Sequence, residues 1–349
     1  MSIVKSSYGK LADGREVCCY TLENGNGMKM DVIPYGCRIL NLFTKDKDGN
    51  LGDVVLGRPS LEEYFGADFQ GSFIGRYGNR IGNAKFTLNG ETYPLAKNDG
   101  ENTLHGGPGG YHQVLWEVAE TGGENEPFVV FSHVSPDGDE GYPGTLKMQV
   151  KYTLSKENGL ILEYFAETDK ETIFNPTNHA FFNLSGNHSK DILDTELQIF
   201  AATSTAVSDD LIPTGEIIPV KDTVLDFTKA KKFGQDMFSE EHTIKICGGF
   251  DHNYCADNSE QGFRKIAEAY EPESGRVMEV FSCLPGVQLY TMNSAGGKNK
   301  DGSDMKPHTS FCLETQYYPD SPNHENFPFD TVKPGETFSC KTEYRFSVK

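Results

Sequence analysis

The 349-residue sequence has no apolar run of about 18 residues, the length that a membrane-spanning helix requires. Its first residues, Met1 to Tyr8, also lack the apolar stretch of a secretory signal peptide. Among its eight cysteines there is no Cys-x-x-Cys pair and no dense framework, so neither disulfides nor a cysteine metal site is indicated. We therefore expect a cytoplasmic protein whose thiols are reduced and mostly buried.

Basic residues are scarce relative to acidic ones. Lys and Arg together number 32 and Asp and Glu together number 51, which gives a formal net charge of -19. A surface of this charge repels phosphate backbones and anionic lipid, so we expect neither nucleic acid nor a membrane surface as a partner. The glycine-rich stretch 106–110 does not fit a dinucleotide fingerprint, and no Gly-Lys-Ser/Thr loop occurs.

What the sequence does contain is apolar and polar alternation in short segments bounded by Gly, Asn, Asp and Pro. Such alternation predicts antiparallel strands, most clearly over residues 16–22, 29–33, 146–154 and 160–166. Turn sequences such as Glu157-Asn-Gly separate these segments and favour hairpins over βαβ units. The predicted fold class is therefore all-β.

Helices are predicted at only two places, and both are short. Residues 60–64 have the spacing of a capping box, and residues 226–232 could form another turn or two. The sequence has no linker, internal repeat or low-complexity tract, and large β sandwiches often reach this length as one unit. We expect residues 1–349 to form a single domain.

Four short motifs each place one ionisable group in or beside a strand-like stretch. They are Asn102-Thr-Leu-His105-Gly-Gly, Asn175-Pro-Thr-Asn-His179, Phe250-Asp251-His252 and Phe311-Cys-Leu-Glu314-Thr-Gln316. A β scaffold presents a proton-transfer set inside a cleft in this way. The motifs therefore indicate acid/base chemistry that needs no metal and no other cofactor.

Taken singly, each of these residues also has a structural interpretation. Alternation places Glu314 on the same strand face as Cys312 and Gln316, but a lone strand carboxylate can equally be a surface group. An isolated histidine such as His179 is more often a hydrogen-bonded core residue, and His105 could simply precede a glycine turn. In the same way, Asp251 could cap a turn and Arg80 could pair with a surface acid.

The motifs, taken together, resemble the aldose 1-epimerase (galactose mutarotase) family. The resemblance runs in order from about Gly14 to the C-terminus. It is carried by Arg76-Tyr-Gly-Asn79-Arg80-Ile-Gly, Leu104-His105-Gly-Gly, Asn178-His179-Ala-Phe-Phe-Asn183-Leu, Gly249-Phe-Asp251-His-Asn-Tyr, Pro285-Gly-Val-Gln288-Leu-Tyr-Thr and Glu314-Thr-Gln316-Tyr-Tyr-Pro. The chain departs from the family at Gln113 and Met292, neither of which is a proton carrier.

The resemblance implies a large antiparallel β supersandwich with an open cleft. It implies an enzyme that interconverts the α and β anomers of free hexoses such as glucose and galactose. The resemblance also implies that Glu314 is the base, His179 is the acid and His105 is a second catalytic histidine. Reference pKa values of about 4.3 and 6.5 allow an ionised carboxylate beside a protonated imidazole near neutral pH. The residues implied to hold the sugar hydroxyls are Asn79, Arg80, Asp251 and Gln288.

Two alternatives remain beside this interpretation. A hexose-6-phosphate 1-epimerase would need clustered Arg and Lys at the site, and Arg80 is the only cation of the motifs that we can place there. A catalytically silent sugar-binding module would have lost the acid or the base, and the sequence has both. The expected partner is a neutral aldohexose, and the chain could be a monomer or a homodimer.

Overall fold

The computed structural model describes residues 2–66, 68–257 and 262–349, and in these ranges β-strands dominate and α1 (His242–Cys247) is the one α-helix. Every strand pair in the sheets is antiparallel, as the turn sequences predict. The first sheet, in spatial order, consists of β1 (Ser2–Lys10), β2 (Glu16–Glu23), β3 (Lys29–Ile33), β4 (Arg38–Lys45) and β5 (Leu51–Asp53).

Two further sheets complete the main architecture. The larger one runs in the order β11 (Glu117–Gly122), β12 (Phe128–Ser135), β13 (Leu146–Leu154), β14 (Gly159–Thr168), β25 (Phe338–Val348), β22 (Arg276–Ser282), β21 (Arg264–Tyr270), β16 (Glu196–Ile199) and β19 (Lys231–Lys232). The smaller one runs in the order β18 (Pro213–Pro219), β17 (Thr203–Val207), β20 (Asp251–Cys255), β23 (Gly286–Tyr290) and β24 (Cys312–Gln316).

Three short two-stranded ladders complete the strand pairing. They are β6 (Phe73–Ile74) with β15 (Thr177–Asn178), β7 (Arg80–Ile81) with β10 (Thr103–Leu104), and β8 (Lys85–Leu88) with β9 (Glu91–Pro94). Short 3-10 turns occur at Glu62–Tyr64, Gly82–Ala84, Tyr111–Gln113, Asp139–Gly141, Phe233–Gln235 and Ser321–Asn323. Among the described residues, no helix has the length and apolar character that crossing a bilayer would take.

The strand predictions are confirmed because alternation directs one face of each strand into a shared core. β3 and β13 have the predicted bounds, and the turn that joins β13 to β14 has Asn158 at a positive φ of 59°. One continuous cluster of buried apolar side chains packs residues of all three large sheets together, including Met30, Val150, Leu162 and Leu313. Burial in this cluster is the main driving force for the stacked arrangement.

Both helix predictions need correction. The capping-box segment forms only the three-residue 3-10 turn Glu62–Tyr64, without a side-chain cap. The second prediction is wrong because the Asp226 carboxylate accepts hydrogen bonds from the Thr228 N–H and hydroxyl, which stabilises a turn instead of a helix. Helix α1 was not predicted. Its N-terminal cap is Glu241, whose carboxylate accepts the N–H groups of the first turn, at Thr243 and Ile244.

Candidate active site

An open cleft of about 580 Å³ lies at the edge of the β20–β23–β24 sheet. Its lining includes six of the seven residues that the sequence predicts for the site: Asn79, Arg80, His105, His179, Asp251 and Glu314. The seventh, Gln288, does not line the cleft but donates from Nε2 to the Asp251 Oδ1 at 2.6 Å. Gln288 therefore orients Asp251, and its direct contact with the sugar stays a prediction.

Glu314 and His179 face each other in a buried corner of the cleft. Glu314 lies on β24 with 2% of its surface exposed, and His179 follows directly after β15. The Glu314 Oε1 is 3.5 Å from the His179 Nε2, while the buried Oε2 has no hydrogen-bond partner among the described residues. An unpaired, buried carboxylate oxygen lining a cleft is suited to receive a proton from a bound molecule.

The surroundings of His179 are largely apolar. Its ring stacks on Phe181 at a centroid distance of 4.8 Å and on Phe69 at 5.8 Å, with interplanar angles of 15° and 18°. On the Nδ1 side, the Cys312 sulfur lies 3.4 Å from the ring nitrogen. Cys312 and Glu314 therefore contact the same imidazole, which confirms that the two residues share a face of β24.

Burial moves the pKa values of His179 and Glu314 in opposite directions. Each shift disfavours the protonation state that the reference values suggest for that residue. Burial lowers the pKa of His179 from 6.5 to about 3. Burial also raises the pKa of Glu314 well above 4.5, helped by the charge of Asp251 and opposed by that of Arg80. The buried pair thus favours one proton on the carboxyl group and a neutral imidazole, the reverse of the distribution that reference values suggest.

His105 is held by a different set of contacts. Its ring Nδ1 accepts the backbone N–H of Asn79 at 3.1 Å, and the backbone N–H of His105 donates to the Asn79 carbonyl, also at 3.1 Å. These bonds continue the β7–β10 ladder and place the His105 backbone at a positive φ of 52°. Burial, followed by the charges of His179 and Arg80, lowers the pKa of His105 well below 6.5. The ring is therefore neutral, with its proton on Nε2.

The three ionisable residues also form a group compact enough to hold a metal ion. One ring nitrogen each of His105 and His179 and one carboxylate oxygen of Glu314 lie within 4.8 Å of one another. However, the Asn79 N–H occupies the Nδ1 lone pair of His105, so its neutral ring has no second lone pair to offer. The cluster therefore suits proton transfer and hydrogen bonding better than metal ligation, and the expectation that no metal is needed stays a prediction.

Asp251 and Arg80 form a second group in the cleft, called the holding end below, while Glu314 and His179 form the reacting end. The Arg80 Nη1 lies 3.5 Å from the Asp251 Oδ2, and its Nε donates to the Asp99 Oδ2 at 2.8 Å. Together with the bond from Gln288, these contacts pair both oxygens of Asp251. Asn79 is nearby, but its side-chain oxygen already accepts the N–H of Arg80 at 2.8 Å. This end is therefore a fixed hydrogen-bonding surface.

Several cleft residues were missed by the sequence analysis. Phe69 and Phe181 flank His179, while Gln70 and the ion pair of Arg58 with Asp68 line the same wall. Phe181 lies inside a quoted motif, and its position two residues after His179 on extended backbone could have suggested it. The others lie in a segment that leads into β6, where neither alternation nor a motif marks them as functional.

The sequence profile of the aldose 1-epimerase family matches residues 18–345. The galactose mutarotase of Bos taurus is 41% identical over 353 residues, covering 100% of this chain and 99% of the relative. The aldose 1-epimerase of Escherichia coli strain K12 is 34% identical over 340 residues, covering 96% of each chain.

Solved structures agree with the sequence matches. An aldose epimerase homologue from C. elegans has a TM-score of 0.87 and 28% identity, with 99% of each chain covered. A galactose 1-epimerase from Lactobacillus acidophilus has a TM-score of 0.87 and 27% identity, also over 99% of each chain. The expected galactose mutarotase-like β supersandwich is thereby confirmed. A chain with this fold belongs with the sugar isomerases. The chain belongs to the aldose 1-epimerase family and is an isomerase.

Proposed function

We propose that the protein interconverts the α and β anomers of neutral free hexoses, with glucose and galactose as substrates. The observation that carries this proposal is the buried contact between the His179 Nε2 and the Glu314 Oε1, 3.5 Å apart in a cleft whose other end is a hydrogen-bonding surface. The names of the relatives, galactose mutarotase and aldose 1-epimerase, support the same activity.

The reaction needs one base and one acid at C1. The Glu314 carboxylate removes the proton of the 1-hydroxyl while the His179 Nε2–H protonates the ring oxygen, so that the C1–O5 bond breaks and an aldehyde forms. Rotation about the C1–C2 bond then exposes the other face of the aldehyde. The 5-hydroxyl adds to that face, returns its proton to His179, and the carboxyl group of Glu314 protonates O1.

The pair uses one proton throughout this cycle. A carboxylate beside an imidazolium and a carboxylic acid beside a neutral imidazole hold the same number of protons and the same net charge. Burial favours the second form, which is the form that the pair has after ring opening. A proton shift across the 3.5 Å between the two side chains converts one form into the other. Catalysis therefore requires that the pair as a whole keeps one proton.

His105 has a different role in this proposal. Because its Nδ1 accepts the Asn79 N–H, it cannot become an imidazolium without breaking that bond, and its Nε2–H remains a neutral donor. A neutral imidazole can polarise a sugar oxygen by hydrogen bonding without transferring its proton. We infer that His105 donates to the sugar beside the reacting bond, and that His179 alone acts as the acid.

The charges in the cleft favour a neutral sugar over a phosphorylated one. Arg58 joins Arg80 as a second cation in the lining, but each is paired with a carboxylate, Arg58 with Asp68 at 2.7 Å and Arg80 with Asp251. A dianionic phosphate would have to displace these partners and would then face a molecule of net charge -19. The silent-module alternative is disfavoured because the acid and the base are in contact.

Polarimetry tests this function directly. Freshly dissolved α-D-glucose and α-D-galactose should mutarotate faster with the protein than without it. Adding EDTA should not change this rate. The corresponding 6-phosphates should react with far lower kcat/KM at both low and high salt. A preference for a 6-phosphate would instead support the phosphate alternative. We also infer a location in the reducing cytoplasm, and the eight free cysteines support this inference.

A further inference from the structure

The wall of the cleft beside His179 carries an amide that the proposed proton transfer does not use. Gln70 lines the cleft and is buried, with 5% of its surface exposed. Its Nε2 donates to the Met305 sulfur at 3.0 Å, a weak acceptor, and its buried Oε1 has no donor among the described residues. A buried amide oxygen without a donor destabilises the protein unless a ligand supplies one.

The backbone around Gln70 is firmly held, so this amide is preorganised. The Gln70 N–H donates to the Asp68 Oδ1 at 3.0 Å, and the Gln70 carbonyl accepts from the fully buried Arg38. Asp68 is itself fixed between two guanidinium groups, with the Arg58 Nε at 2.7 Å and the Arg38 Nη1 at 3.3 Å. Ordering this segment on sugar binding would therefore cost little further entropy.

The strand order gives the position of Gln70 relative to the holding end of the cleft. The backbones of Asp251 on β20 and of Glu314 on the edge strand β24 are two strands, or about 10 Å, apart. β15, which leads into His179, contacts β24 and pairs with β6, and Gln70 comes shortly before β6. The N–H of Gly71 donates to the His179 carbonyl at 2.9 Å. Gln70 therefore lies beside His179, at the end of the cleft away from Asp251.

We propose that Gln70 is a specificity-determining residue whose Oε1 accepts a hydrogen bond from the 6-hydroxyl of the hexose. The proposal rests on the proposed function, which puts the ring oxygen at His179 and the 1-hydroxyl at Glu314. C3 is opposite the ring oxygen in a pyranose, so the C3 edge then faces Asp251. The other group next to the ring oxygen is the hydroxymethyl group on C5, which leaves the 6-hydroxyl at the Gln70 end.

A substrate cycle tests this assignment. The kcat/KM values of the wild type and of Gln70→Met, an apolar side chain of similar length, are measured with D-galactose and with 6-deoxy-D-galactose. The substitution should lower kcat/KM about tenfold for galactose but less than about twofold for the 6-deoxy sugar, because only galactose has the hydroxyl that the amide accepts from. Gln288→Met is the matched control, and it should affect both sugars equally because Gln288 acts through Asp251.

Equal losses for both sugars in Gln70→Met would overturn the proposal. The proposal would also be overturned if the loss of kcat/KM in Gln70→Met disappeared with 2-deoxy-D-galactose and not with the 6-deoxy sugar, because the amide would then contact the 2-hydroxyl. Thermal unfolding shows whether each variant is folded. Calorimetric binding of the same sugars reports the Gln70 contact without turnover, so a failure of the epimerase function can be told apart from a failure of this contact.

Discussion

The two ends of the cleft differ in how their carboxylates are satisfied. At the holding end, both oxygens of Asp251 are paired, with the Gln288 amide at 2.6 Å and the Arg80 guanidinium at 3.5 Å. At the reacting end, Glu314 is more deeply buried, with 2% of its side chain exposed against 13% for Asp251, yet its Oε2 has no partner among the described residues and its Oε1 lies 3.5 Å from the His179 Nε2. One end is built to keep its geometry, and the other to exchange a proton.

The difference shows how a single sheet can support both tasks. Paired charges lose little when a sugar hydroxyl replaces a water, so Asp251 and Arg80 can bind sugar hydroxyls while they remain paired with each other. Burial against Phe69 and Phe181 removes the solvent that would otherwise hold a charge on His179. Because the ionised forms are not stabilised by water, the proton can move between the pair and the substrate at a small free-energy difference.

Disabling the reacting end should have the largest effect. Glu314→Gln and His179→Asn each remove one proton carrier while keeping a polar side chain, so each should lower kcat by about 100-fold or more. The affinity for galactose should change much less, because the holding end is intact. Polarimetry gives kcat and calorimetry gives the affinity. A folded variant with near-normal mutarotation would show that its residue is not an essential proton carrier.

His105 should be less sensitive than His179 to a neutral replacement. In His105→Gln an amide N–H can take the place of the Nε2–H donor, so we expect kcat to fall only about tenfold, whereas His179→Gln should lose about 100-fold or more. Both variants are assayed with galactose under the same conditions. Equal losses in the two folded variants would mean that His105 also carries a proton.

Weakening the holding end should mainly change affinity. Asp251→Asn keeps the shape of the side chain but removes the charge that pairs with Arg80, so KM for galactose should rise about three- to tenfold, with kcat within about threefold of the wild type. Asp99→Asn, at the outer partner of Arg80, is the control and should have a smaller effect. If Asp251→Asn lowered kcat as strongly as Glu314→Gln, the division between the two ends would be wrong.

The sequence predicted the strands and the motif residues better than it predicted their surroundings. Alternation marks a strand such as β13 because it reports which side chains are buried, and the motifs place Glu314 and His179 on elements that the sheet brings together. Gln288 is predicted to contact the sugar, but a one-dimensional pattern cannot show that its amide also donates to Asp251 and fixes that carboxylate.

Protonation states and the wall of the cleft could not be read from the sequence either. The shifts of Glu314 and His179 arise from burial by residues distant in the chain, including the stacking of Phe69 on His179. Gln70 lies in an irregular segment that is fixed by the buried Arg38 rather than by a regular ladder. Such tertiary contacts decide which side chains reach the cleft, and local propensity carries no signal for them.

The pH dependence of kcat/KM for galactose tests most directly the central claim that Glu314 and His179 share one proton. The pair takes up a second proton only near the lowered pKa of His179, about 3, and loses its only proton only above the raised pKa of Glu314. After subtraction of the uncatalysed rate, the profile should be bell-shaped, with no loss of activity as the pH falls through 6.5, the ordinary histidine value. An acid limb centred near 6.5 would contradict the account, because His179 would then titrate as a solvated imidazole.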